Sequence, residues 1–217
     1  QDDRLEEDPV SEFQDYEFDS QYFGLGLSGK WFEGFFYELE SWYMAGDRFA
    51  HFQTDRPEDI EAYSFTASFD YQFYTRTLPN LEWGVMFGSG DSNRYRTLNT
   101  DFGNQIGSTD RAFLAFGYIP TGYALAPYLS NLWIFHIGGG FSPFREETDD
   151  PGWLSGMDIS LDFYYYRKHQ REGGISDPYA DLEHSEIGYE MDLTVDWEIF
   201  SDVSFFARVG FFQPSCA

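Results

Sequence analysis

The chain has 217 residues, of which 38 are acidic and 13 basic, for a formal charge of −25. That balance excludes nucleic acid as a partner, because such binding depends on cationic side chains displacing counterions from phosphate. Aromatic residues make up 21% of the chain while its mean hydropathy is −0.48, and no apolar run approaches the length of a transmembrane helix.

Residues 1–17 are rich in Asp and Glu, show no period and read as a solvated acidic tail. From residue 18 to 217 the chain reads as one all-β domain of alternating runs. Phe23, Leu25 and Leu27 alternate with Gly24, Gly26 and Ser28, and Ser28-Gly29-Lys30 looks like a tight turn. Residues 31–45 form a less regular strand candidate, and a further strand could hide in 48–60 or near the N-terminus. Tyr63, Phe65, Ala67, Phe69, Tyr71 and Phe73 alternate with polar neighbours, and a short turn is expected at 75–80. Strand candidates at 81–90, 110–118 and 130–142 are separated by polar loops, the longest at 91–109, with another at 143–155. Met157, Ile159, Leu161, Phe163 and Tyr165 open a clean run that ends in a loop at 169–184.

The clearest pattern lies at 186–199, where Ile187, Tyr189, Met191, Leu193, Val195, Trp197 and Ile199 alternate with Glu186, Gly188, Glu190, Asp192, Thr194, Asp196 and Glu198. A strand of this length extends about 46 Å, whereas a tilted membrane strand crosses with about 9 to 11 residues. A turn at Phe200-Ser201-Asp202 leads to the last run, Val203, Phe205, Ala207, Val209 and Phe211. About nine strands are visible, and a closed single-chain barrel calls for an even total, eight or ten.

Alternation also occurs in soluble sandwiches. Here the runs are long, aromatics crowd their ends (Trp31-Phe32, Trp42-Tyr43, Tyr71 to Tyr74, Phe211-Phe212), and charges occupy mid-strand on the opposite face. In lipid every backbone polar group must pair, which for an all-β chain means a closed barrel. The expected fold is therefore an antiparallel transmembrane β-barrel of about 8 to 10 strands. Its partner is outer-membrane lipid, with a homo-oligomer or other outer-membrane or periplasmic subunits as further candidates. Its expected place is the bacterial outer membrane.

Such a barrel turns Asp70, Asp158, Asp162, Glu186, Glu190, Asp192, Asp196 and Glu198 towards its interior, with Arg111, His136 and Arg208 as counter-charges and Lys168 near a rim. About eight strands give a filled interior and sixteen to eighteen an open channel. Two functions fit: a channel or exporter-like porin with a cation-favouring interior, or a small plugged barrel that anchors loops or partner subunits.

No enzyme, cofactor or metal site is read. His51, His136, His169 and His184 have no ligand spacing, and Glu146 to Asp150 lacks the alternating ligands of a calcium loop. Cys216 reads as a free terminal thiol and excludes an internal disulfide framework. No basic and apolar leader precedes the tail, so Gln1 reads as a terminus left by signal cleavage or as an artificial boundary.

From Phe113 onwards the chain resembles the C-terminal half of the alginate export family of outer-membrane barrels. The resemblance is carried by Ala126-Pro127-Tyr128-Leu129-Ser130-Asn131-Leu132, by Gly188-Tyr189-Glu190-Met191-Asp192-Leu193-Thr194, and by Phe211-Phe212-Gln213-Pro214. It implies an outer-membrane barrel with an export channel. Barrels of that family have about twice this length and some eighteen strands, and their channels are lined by positive residues that attract polyuronate. The acidic alternation at 186–199 departs from that lining and would repel a polyanion.

Overall fold

A computed structural model describes residues 18–49, 57–93, 107–117, 119–146, 152–177, 179–180 and 182–216. The acidic tail, His51 and most of the loop Glu146 to Asp150 lie outside the described residues. Among the described residues, long β-branched and aromatic runs without helix caps give strands only: β1 (Phe18–Phe32), β2 (Phe35–Phe49), β3 (Pro57–Gln72), β4 (Asn80–Gly88), β5 (Leu132–Phe141), β6 (Met157–Lys168), β7 (Glu186–Phe200) and β8 (Val203–Pro214). They lie in one sheet in chain order, and each pairs antiparallel with the next.

Three expectations are corrected. Ser28-Gly29-Lys30 is not a turn but continues β1; the chain reverses at Glu33-Gly34, where φ is +82° at Gly34, so the candidate at 31–45 joins the end of β1 to most of β2. Of the strand candidate at 110–118, the described residues 110–117 form no strand, because Ala112 to Phe116 are apolar without alternation and local amides turn to carboxylates. Arg111 N donates to Asp91 Oδ2 at 2.9 Å and Ala112 N to Asp110 Oδ1 at 2.9 Å. Among the described residues the sheet also does not close: β1 pairs only with β2 and β8 only with β7, and closure requires those two edges to meet.

The connections differ in length. Residues 33–34, 73–79, 142–156 and 201–202 join strands at one end of the sheet, and 50–56, 89–131 and 169–185 join them at the other. Mixed short and long connections of this kind belong to a wall with two unlike rims.

Because successive side chains point to opposite faces, the register fixes two surfaces. One carries Phe23, Leu25, Phe135, Ile137, Phe163, Met191 and Val209, all exposed. The other carries the mid-strand charges and is partly covered by residues 107–117 and 119–131, which fold back over it. There Met44, Ile60, Ala62 and Phe113 form one buried cluster, and Leu129, Leu132, Ile134, Tyr166, Ile175 and Ile187 belong to a second. Ile187 was expected on the outward row with Tyr189. A register shift between Tyr166 and Arg167 opposite β7 turns it inwards, where it is 4% exposed.

The long loops are tied to each other at their rim. Gly90 N donates to His169 Nδ1 at 3.0 Å, and the His169 ring stands edge-on to Phe87 at 5.1 Å. Burial holds the His169 pKa below its ordinary 6.5, so the folded chain takes up this proton later than the unfolded chain as pH falls. The junction is therefore at full strength above pH 6.5 and weakens as pH drops below it. The protection factor of the Gly90 amide should fall below that pH, so that its exchange slows less with falling pH than the intrinsic chemistry does; a rate tracking only the intrinsic chemistry through this window would contradict the assignment.

Candidate functional site

The covered polar face is organised in rows across the sheet. One runs Lys30, Phe36, Asp70, Glu82, Gly138, Asp162, Asp192, Gly210, and the adjacent row runs Ser28, Glu38, Ser68, Gly84, His136, Tyr164, Glu190, Phe212. Carboxylates from five strands thus share this face, and mutual repulsion requires donors, cations or water among them.

Its best-built part is at β7. Glu190 is 1% exposed, and its two oxygens accept from three successive amides: Oε1 from Tyr123 and Ala124, both at 2.6 Å, and Oε2 from Leu125 at 2.9 Å. The Tyr166 hydroxyl lies 3.0 Å from Oε2 and donates to Thr121 O at 2.7 Å. Consecutive amides converging on one carboxylate form an anion nest, with charge-assisted bonds stronger than neutral ones. Gly122 makes the nest possible: its φ is +109°, and a Cβ there would collide with the Tyr166 hydroxyl and the Glu190 carboxylate. Asp192, also 1% exposed, accepts from Tyr123 N at 2.9 Å through Oδ2, while its Oδ1 is buried without a hydrogen-bond partner.

The same segment reaches the opposite side of the sheet. The Tyr22 hydroxyl donates to Leu114 O at 2.9 Å, and Phe116 packs edge-on against Tyr22 and Trp42 at 4.6 and 4.9 Å. Asp110 anchors the start of the segment through a buried ion pair with Arg48 and a parallel bridge to Ile60. Residues 107–117 and 119–131 therefore run as a strut across the polar face, from β1–β3 to β6–β8.

The expected interior residues fall into three groups. Asp70, His136, Asp162, Glu190 and Asp192 come together in the two central rows. His136 Nε2 lies 2.8 Å from Asp162 Oδ1 and its ring stacks on Tyr164, while Asn80 Nδ2 donates to Asp70 at 3.2 Å and Glu82 at 2.6 Å. Asp158, Asp196, Glu198 and Arg208 share the face towards the short-turn end. Ser142 Oγ donates to Asp158 at 2.5 Å, and Arg208 lies 3.9 Å from Asp196 and over the Tyr123 ring. Two others sit elsewhere. Arg111, expected on a strand, is exposed on the strut, and Glu186 is exposed opposite Arg167 beyond the β7 bulge, off the central rows. Lys168 is buried, with Nζ donating to Ala180 O and Leu182 O at 2.8 Å.

Glu38, Glu40 and Glu82 belong to the same face and were missed. Their signal was present, since Tyr37 and Leu39 flank Glu38, and Leu81 and Trp83 flank Glu82, but Phe36, Trp42 and Met86 on the same side blurred the alternation. The amide nest has no sequence signature beyond Gly122.

Exchanging Glu190 for Gln removes the charge and one acceptor from the nest. Charge-assisted bonds are each worth about 1.5–3 kcal/mol, so amide exchange at Tyr123, Ala124 and Leu125 should rise roughly tenfold or more in E190Q, with the β7 ladder unchanged. Unaltered exchange at those three amides would show that the strut is held elsewhere.

No curated protein matches the chain. The family model described as alginate export matches residues 14–215, nearly the whole length, and so extends the resemblance well beyond its second half. That family comprises outer-membrane export proteins, and an all-β antiparallel sheet with an apolar face is compatible with it. The chain belongs to the alginate export family.

Proposed function

We propose that the chain forms the wall of a transmembrane channel in the bacterial outer membrane, with its apolar face on lipid and its acidic face on a water path that favours cations. The observation that carries this reading is the inverted burial of the sheet: Glu190 and Asp192 are 1% exposed, while Met191 between them is 49% exposed. In water this arrangement hides charge and displays hydrocarbon, opposite to the ordinary preference. In a bilayer it satisfies both.

A lumen needs the free edges of β1 and β8 to gain partners, since an unpaired ladder cannot face hydrocarbon. Further strands, from a second copy or another outer-membrane subunit, would supply them. The lining would then include Asp70, Glu82 and Asp162, and that lining disfavours a polyuronate. Membership of the family supports export at the outer membrane, while the charge supports cationic or neutral cargo over an anionic one. Catalysis is no part of this reading.

The strut supports a second reading, in which residues 107–131 plug the interior and the wall serves as an anchor for loops or subunits. Planar-bilayer recordings separate the two. The channel reading expects current with K⁺ favoured over Cl⁻, and a permeability ratio that moves towards one in the D70N/E82Q chain. Anion selectivity would contradict it, and a chain that inserts without current would favour the plug.

A further inference from the structure

Between the strut and strands β2–β5 lies a cleft of about 470 Å³ on the acidic face. That is within the range of pockets that hold small molecules. One wall is apolar, formed by Trp42, Met86, Phe113, Phe116 and Ile119. Ser64, Thr66 and Ser68 line the β3 side, and Glu38 and Glu40 close the β2 side. Neither glutamate has an ion-pair partner among the described residues: Glu40 accepts only a long 3.4 Å bond from Trp42 Nε1. The nearest cation along the rows, Lys30, has its Nζ over the Phe36 ring at 5.8 Å. His136 at the far side is already held by Asp162.

We infer that this cleft binds an organic cation, an ammonium group joined to a small apolar or aromatic body. The ammonium would lie between the Glu38 and Glu40 carboxylates, beside the face of Trp42, and the body would fill the space against Met86 and Phe116. Each part of the cleft selects for one part of that ligand. Two carboxylates without a counter-charge favour a cation over a neutral or anionic molecule. The indole adds a cation–π contribution, and the apolar wall excludes water from the body of the ligand. A bare metal ion would use only the glutamates and leave the apolar wall empty. The hydroxyls of Ser64 and Thr66 would accept the remaining ammonium hydrogens.

This inference rests on the acidic face lining a cation-favouring path, and it gives that path a specific binding station. Calorimetry on the full chain folded in a non-ionic detergent tests it, using phenethylammonium with phenethyl alcohol and phenylacetate as uncharged and anionic counterparts. Saturable binding of the ammonium is expected, about tenfold or more tighter than the alcohol, with none for phenylacetate. In the E38Q/E40Q chain the ammonium should weaken by about tenfold. Equal binding of ammonium and alcohol, unchanged binding in E38Q/E40Q, or no saturable binding of the ammonium would each overturn it. The inorganic-ion recordings fail independently: K⁺ selectivity without ammonium binding removes the cleft alone, and ammonium binding in a chain that carries no current removes the channel alone.

Discussion

A strand has two faces, and the pleat assigns successive residues to them without exception except at a bulge. Along β7 this places Tyr189, Met191 and Leu193 on one side and Glu190, Asp192 and Thr194 on the other, and the neighbouring strands follow through their register. The whole sheet therefore needs two different surroundings at once. In the proposed membrane setting, hydrocarbon answers one demand. The other is answered by amides, hydroxyls and the few cations that the chain brings to its acidic side. The strut and the unlike loops are arranged around that division.

The strut shows how the acidic side is managed. A carboxylate deprived of water must find donors, and Glu190 finds them in the backbone of Tyr123, Ala124 and Leu125 rather than in a basic side chain. With so few cations in the chain, backbone amides are the donor supply that remains. The same contacts that satisfy Glu190 also fix the position of the strut, so charge burial and the narrowing of the polar face are one structural event. At the opposite side of the sheet the strut is held by the Asp110–Arg48 ion pair together with apolar and aromatic packing, Phe113 among Met44, Ile60 and Ala62. That leaves a cleft between two anchoring points of different chemistry.

The antiparallel strands, their faces and most of the central acids could be read from the sequence, because period-2 order survives wherever the outward residues are apolar and the inward ones polar. Reading failed where inward positions are themselves apolar. Phe36, Trp42 and Met86 hid Glu38, Glu40 and Glu82, and the apolar run at Ala112 to Phe116 imitated a strand although it packs as irregular chain against the sheet. It failed again at Ile187, where one inserted residue reverses the faces and leaves Glu186 off the central rows, a shift that alternation alone cannot register. The open edges of β1 and β8 were equally invisible, since closure is a property of pairing and strand composition is the same either way.

The most direct measurement is the accessibility of nitroxide spin labels placed in turn at Tyr189, Met191 and Leu193, and at Asp158 and Asp196, in the protein reconstituted into lipid vesicles. Labels at the first three should be relaxed by lipid-soluble oxygen and shielded from an aqueous nickel chelate, and labels at the last two should show the reverse. Nickel reaching the first three as readily as the others would contradict a lipid-facing sheet.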